Sequence, residues 1–133
     1  MMKRESLDSN VILRLMLKDV PEQYDLALAL VESDKSRFFV SDTAIGEFVF
    51  VLERFYKLTR DQIGEVLNGL FSIKSIDCNR ELALTALEYY CEHRQLSYAD
   101  CYMAASSEFM NAAPLWTFDR DLAAKAPPAR LVK

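Results

Sequence analysis

The chain has 133 residues, of which 51% are hydrophobic, and it contains only 3 Gly and 4 Pro. This size suits one compact domain, so we expect residues 1–133 to form a single domain without linkers or repeats. No stretch approaches the roughly 18 apolar residues of a membrane span, which predicts a soluble, cytoplasmic protein. The net charge of -4 argues against a broad electropositive groove but does not exclude a metal-dependent nuclease.

The chain begins with a short predicted strand before Asp8, although "MMKRES" is unusually polar for a central strand. The segment "LDSNVILRL" follows and predicts the first helix. The next helix lies in "PEQYDLALALVES", where apolar residues recur at i, i+3, i+4 and i+7. These residues are Tyr24, Ala27, Leu28 and Val31.

The second predicted strand, "RFFVS" at 37–41, leads into the run "AIGEFVFVLE" at 44–53. This run is apolar on all sides, which predicts a buried helix. Glu47 lies inside it, and an ionised carboxylate taken out of water without a partner costs several kcal/mol. We therefore expect Glu47 to be compensated, either by a cation or by a salt bridge to Arg54 or to an arginine of another helix.

The rest of the chain alternates helices and short strands. Helices are predicted in "TRDQIGEVLNGLF", where Thr59 and Gln62 have capping-box spacing, in "NRELALTALEYYCEHR" and from Ser97 onward. Strands are predicted at 73–77, 114–118 and 129–133, with Pro127 and Pro128 before the last. This alternation predicts an α/β fold, a single-domain three-layer α/β/α sandwich with a mainly parallel central sheet.

Polar residues lie where predicted strands end or helices begin, and parallel sheets bind their ligands beyond the carboxyl ends of their strands. They are Asp8, Asn10, Glu47, Asp100, Thr117, Asp119 and Asp121. Four carboxylates from four separated segments are therefore expected at one edge of the sheet. Each also has a structural alternative, because Asp8 and Asp119 can be helix N-caps and Ser97 with Asp100 has capping-box spacing.

A cluster of four carboxylates needs compensation. Like charges about 4 Å apart repel by roughly 4 kcal/mol at an effective dielectric constant of 20. A set of oxygen ligands without His or Cys suits a hard divalent ion, which indicates Mg²⁺ or Mn²⁺.

The same four acids carry a resemblance to a known family. Asp8 in "LDSNVILRL", Glu47 in "SDTAIGEFVFVLERFY", Asp100 in "SYADCYMAA" and Asp119 in "TFDRDL" resemble the motifs of a PIN domain, specifically of VapC-type ribonuclease toxins. The resemblance spans nearly the whole chain. It implies a Mg²⁺- or Mn²⁺-dependent endoribonuclease that hydrolyses RNA phosphodiesters, with these acids as metal ligands and catalytic residues. It also implies a small cognate antitoxin and a second copy of the chain as partners.

Other residues take supporting roles if the resemblance holds. Asn10 and Thr117 would fix the orientation of the carboxylates, or would only close turns. Asp121 would be a fifth site member or an exposed acid that favours the helix dipole. Arg14 shares a helix face with Asn10, and Arg120 adjoins Asp119. Either arginine could bind a phosphate or could be solvated surface charge.

The aromatic residues occupy positions compatible with the core, so no aromatic RNA site is predicted from Tyr89, Tyr90, Tyr98, Tyr102 and Trp116. The apolar helices "VILRLML" and "FVFVLERFY" suit partner contacts or core packing alike. Two other functions remain as alternatives. One is a non-catalytic PIN-like scaffold that binds RNA or a protein. The other is a phosphotransfer receiver-like domain, disfavoured because no paired acids end the first strand and no lysine follows a late strand in the expected place.

Overall fold

The computed structural model describes residues 3–133, and the chain divides into two compact units, Met1–Asn79 and Arg80–Lys133. Met1 and Met2, which begin the segment of the predicted first strand, lie outside the described residues. Each unit combines helices with parallel strands, which confirms the predicted α/β class. In the described part of the chain, every helix is too short or too polar to traverse a bilayer.

The first unit contains three strands and four helices. In chain order they are β1 (Lys3–Ser6), α1 (Ser9–Leu17), α2 (Pro21–Val31), β2 (Ser36–Phe39), α3 (Asp42–Arg54), α4 (Arg60–Phe71) and β3 (Ile76–Asp77). The strands form a parallel sheet in the order β1-β2-β3. The ladder continues past the strands, because the Leu7 N–H donates to the Phe39 carbonyl at 3.0 Å and that of Val40 donates to Asp77 at 2.8 Å. The carboxyl ends of all three strands therefore lie at one edge.

Side-chain caps fix where α1, α3 and α4 begin, whereas α2 begins at Pro21 without a side-chain cap. Asp8 is the N-cap of α1, and Ser41 caps α3 by accepting from the Ala44 N–H at 3.1 Å. The capping box predicted at Thr59 is confirmed at the start of α4, with both of its hydrogen bonds present. Each cap satisfies an amide that the helix itself leaves without an acceptor.

Helix α3 is amphipathic, so the prediction of a helix buried on all sides is wrong. Its buried residues are Ala44, Ile45, Phe48, Val49 and Leu52. The opposite stripe is exposed and includes Thr43, Glu47, Phe50 and Arg54. Phe50 is 56% exposed. Because this apolar residue lies in the exposed stripe, the sequence pattern did not indicate a polar face. Glu47 is exposed, so burial imposes no cost that a partner must offset.

The second unit contains three helices and two strands. They are α5 (Arg80–Glu92), α6 (Tyr98–Phe109), β4 (Leu115–Thr117), α7 (Arg120–Lys125) and β5 (Ala129–Leu131). Strand β4 pairs with β5 in parallel, with Leu115 in register with Ala129. Helix α5 packs on α6, where the rings of Tyr90 and Tyr98 meet edge to face at 5.7 Å between centroids. The Tyr89 hydroxyl also donates to Glu108 at 2.6 Å, and burial, followed by this bond, raises the pKa of Tyr89 to about 12.

The strands differ from the prediction in grouping and in length. One mainly parallel sheet was expected, whereas the described strands form a sheet of three and a sheet of two. The strand predicted at 73–77 is only Ile76–Asp77. It starts late because the chain turns after α4, with the Ile76 N–H donating to the Ile73 carbonyl at 3.1 Å.

Candidate active site

Ser9 links two of the four predicted acids at the carboxyl edge of the first unit. Its backbone N–H donates to Asp8 Oδ1 at 2.9 Å, and its hydroxyl donates to Glu47 Oε2, also at 2.9 Å. Asp8 immediately precedes α1, and Glu47 projects from the exposed face of α3. Ser9 thus bridges Asp8, its neighbour in the chain, and Glu47, which lies 38 positions further on.

The same edge holds residues that the sequence reasoning missed. Ser9 lies between Asp8 and Asn10, both of which the sequence had indicated as candidates. Its position in the first turn of α1 is the signal that could have identified it. Asp42 is the first residue of α3, and its Oδ2 accepts from Asn79 Nδ2 at 3.0 Å. Asp42 and Asn79 each follow a strand closely, so the strand-end rule already pointed to them.

The second unit holds the other two predicted acids, each at the start of a helix. Asp100 is the third residue of α6 in a capping box, where the Ser97 N–H donates to its Oδ2 at 3.3 Å. Asp119 is the N-cap of α7, where its Oδ1 accepts from the Leu122 N–H at 3.1 Å. The proposed structural alternatives for these acids are therefore real contacts, but a cap uses only one carboxylate oxygen.

Thr117 positions Asp119 through the backbone. The Thr117 hydroxyl accepts from the Asp119 N–H at 2.9 Å, which fixes the turn between β4 and α7. Helix α6 reaches β4 through the short connection 110–114 and packs against it. If the chain reverses in this connection, the start of α6 and the end of β4 lie at the same end of the unit, and we expect Asp100 and Asp119 to share that end.

Each of the four acids keeps one carboxylate oxygen that accepts no hydrogen bond from the described residues. These oxygens are Asp8 Oδ2, Glu47 Oε1, Asp100 Oδ1 and Asp119 Oδ2. In the described part of each unit, no lysine or arginine forms an ion pair with any of them, so the alternative pairing of Glu47 with Arg54 is not formed. Carboxylate oxygens without cationic partners are the ligands that Mg²⁺ and Mn²⁺ prefer, and the residues present fit such an ion.

Asp8 and Glu47 lie in the first unit, where Ser9 links them, and Asp100 and Asp119 lie in the second. Among residues 3–133, no three side chains of His, Cys, Asp or Glu form a ready-made metal cluster. The convergence of all four acids on one ion therefore stays a prediction.

Arg14 is engaged within the first unit. Its Nη1 donates to Asp19 Oδ1 at 3.1 Å and to the Tyr56 hydroxyl at 3.4 Å, while that hydroxyl donates to Asp19 Oδ2 at 2.6 Å. The bond with Tyr56, with the pairing to Asp19, raises the pKa of Arg14, and the Tyr56 bond is also the largest cause that lowers the pKa of Asp19. This cluster ties the ends of α1 and α3 together, which favours a structural role for Arg14.

The remaining candidates are exposed. Asn10 lies in the first turn of α1, and Arg120 and Asp121 are the first two residues of α7. Within residues 3–133, Arg120 forms no ion pair. Its guanidinium therefore remains accessible beside Asp119.

The fold and the site define an α/β protein with acidic residues where parallel strands end and helices begin. The PIN domain family matches residues 6–127, a range that contains all four acids. The chain therefore belongs to the PIN domain family, whose members are generally nucleases. Among solved structures, it is similar to VapBC2 from Rickettsia felis bound to a DNA fragment from their promoter, with 18% identity and a TM-score of 0.40 over 97% of each chain. No curated protein matches it.

Proposed function

We propose that this chain is a Mg²⁺- or Mn²⁺-dependent endoribonuclease that hydrolyses RNA phosphodiesters, with residues 1–133 acting as one PIN domain. Family membership supports nuclease chemistry. The observation that carries the proposal is the state of the four acids: among the described residues, each keeps one oxygen that accepts no hydrogen bond, and none forms an ion pair. A set of caps alone would not need to keep all four charges unpaired.

The four acids have different roles in this proposal. Asp8, Asp100 and Asp119 hold the ion, and Glu47 either holds it or orients the attacking water. A bound divalent ion supplies a water of lowered pKa and neutralises charge on the phosphate. The hydrogen bonds from Ser9, Ser97 and Leu122 restrict each carboxylate, so that its second oxygen points in a defined direction.

The motif resemblance extends the proposal to partners. A small cognate antitoxin would block the acidic site, a second copy would form a homodimer, and the pair would act in the cytoplasm. Exposed large apolar side chains in the first unit support protein contacts at α2 and α3. They are Leu26, Leu30, Phe50 and Phe55. Helix α1 supports none, because Ile12, Leu13 and Leu15 are buried.

Metal removal tests the function directly. Purified protein incubated with total RNA is expected to cut it with Mg²⁺ or Mn²⁺ and to stop when EDTA is added, because the acids alone cannot stabilise charge on the phosphate. Fragments are read on a denaturing gel, with added Mg²⁺ in excess of EDTA as the control. Cleavage that EDTA leaves unchanged would contradict the proposal. Calorimetry that detects no metal binding, together with no cleavage, would instead favour a non-catalytic scaffold.

Ser9→Ala tests the link between the acids. The change removes the hydroxyl that holds Glu47 but keeps the backbone N–H that Asp8 accepts from. We expect cleavage to fall by about 10- to 100-fold, the usual effect of losing a group that orients a metal ligand. Ser9→Thr keeps a hydroxyl and is expected to restore most of the rate. Equal rates for Ser9→Ala and the unchanged chain would show that the serine does not position Glu47.

A further inference from the structure

Two exposed aromatic residues, Trp116 and Phe118, lie at the carboxyl end of β4, and we call them the aromatic face. Trp116 is the middle residue of β4, and Phe118 is the first residue after the strand. Trp116 is 59% exposed and Phe118 is 80% exposed, whereas Ala129 in β5 is 5% exposed. Trp116, at a position compatible with the core in the sequence, is therefore not a core residue. Two large exposed rings so close along the chain need an explanation.

Both rings are exposed, and no aromatic ring or cation of the described residues stacks on either of them. Within the described residues, neither Trp116 nor Phe118 takes part in an aromatic pair or a cation–π contact, since those contacts occur at Tyr90, Phe39 and Tyr24. The faces of the indole and phenyl rings are thus available to a planar ligand. Bases of single-stranded nucleic acid use such faces, and the bases of a duplex do not, because they are already stacked.

Positive charge surrounds the aromatic face. Arg130 is in register with Trp116, and both line a recess of about 370 Å³ together with Lys133. Residues 112–133 carry four basic residues and two acids, although the whole chain has a net charge of -4. In residues 3–133, neither Arg130 nor Lys133 forms an ion pair. An apolar protein partner would leave these charges unpaired, whereas a phosphate backbone complements them.

The geometry also connects this face to the acids. Phe118 immediately precedes Asp119, and Thr117, between the two aromatic residues, accepts from the Asp119 N–H. A base on Phe118 would bring its phosphodiester beside Asp119.

We propose that Trp116, Phe118 and Arg130 form a stacking platform for single-stranded RNA that delivers a phosphodiester to Asp119. The choice of RNA rests on the proposed function, but binding to the platform does not require cleavage.

Trp116 is the only tryptophan of the chain, so its fluorescence reports on this face alone. The probe is a single-stranded RNA of about ten nucleotides, within the usual size of single-strand sites, added in EDTA so that binding is measured without metal. We expect the strand to quench the fluorescence and the matched RNA duplex to leave it nearly unchanged. Quenching by both to the same extent, or by neither, would overturn the platform.

Substitutions separate stacking from charge. Phe118→Ala is expected to raise the Kd by about 5- to 150-fold, the range for losing one base–aromatic stack. Arg130→Gln is expected to weaken binding and to lower its salt dependence by one phosphate contact. Phe109→Ala, at a phenyl ring that is 44% exposed outside β4 and β5, is the matched control and should leave the Kd unchanged. Equal Kd values for Phe118→Ala and Phe109→Ala would overturn the platform, and circular dichroism of each variant excludes unfolding as the cause.

The two proposals fail in different ways. Quenching by single-stranded RNA without any cleavage in Mg²⁺ would keep the platform and reject the nuclease. Cleavage in Mg²⁺ without quenching would keep the nuclease and reject the platform. If Phe118→Ala instead dissociates a dimer in size-exclusion chromatography and leaves RNA binding intact, the face is a protein interface and the platform is wrong.

Discussion

Asp100→Asn is expected to reduce RNA cleavage by at least about 100-fold, the upper end of what the loss of an outer-shell group costs a metal site, without unfolding the chain. Asparagine keeps an oxygen that can accept from the Ser97 N–H, and its own N–H can still donate to the Ser97 hydroxyl. The capping box therefore survives the change. The negative charge does not survive, and a neutral amide is a poor ligand for a hard divalent ion.

Ser97→Ala is the matched control, because it removes the cap and keeps the charge, whereas Asp100→Asn keeps the cap and removes the charge. It removes the capping hydroxyl, at a cost of about 1 kcal/mol in stability, and it retains the Asp100 carboxylate. Cleavage of a labelled RNA and thermal unfolding are measured for both variants at equal Mg²⁺. If Asp100 only caps α6, Ser97→Ala will be the more damaging change and Asp100→Asn will cleave normally. If Asp100 holds the metal ion, Asp100→Asn will lose cleavage and Ser97→Ala will keep most of it.

The starts of helices and the ends of strands were predictable because they depend on neighbouring residues. Thr59 with Gln62 and Ser97 with Asp100 satisfy amides within four residues, so their spacing carries the information. The turn after β4 is equally local, since Thr117 and Asp119 close it together. The last two of these contacts place Asp100 and Asp119 where helices begin, as the sequence indicated.

Side-chain exposure was harder to predict, because it depends on which residues pack from elsewhere in the chain. Phe50 lies in the exposed stripe of α3 together with Glu47. Because Phe50 is apolar, the sequence of α3 does not show the regular spacing of polar residues that marks an exposed face. In "LWTF" both alternating faces carry apolar side chains, so the pattern could not decide that Trp116 points outward. The contact between Ser9 and Glu47 spans 38 positions and left no local signal.

Phe48 and Phe50 of α3 differ in exposure, and we expect their substitutions to differ in their effect on the free energy of unfolding. Phe48 is 1% exposed and packs in the core of the first unit, whereas Phe50, two residues later, is 56% exposed. Phe48→Ala is expected to lower the free energy of unfolding by about 3 to 5 kcal/mol, since it removes a buried ring and leaves a cavity. Such a loss is a large part of the stability of a typical domain.

Phe50→Ala is the matched control, with the same chemical change in the same helix, and it is expected to alter the free energy of unfolding by no more than about 0.5 kcal/mol. Urea unfolding followed by circular dichroism gives both values. Comparable losses in the two variants would mean that α3 is covered on both sides, as its sequence suggested. A loss for Phe50→Ala that appears only at high protein concentration would place Phe50 in a contact between copies, because association stabilises the folded chain by mass action.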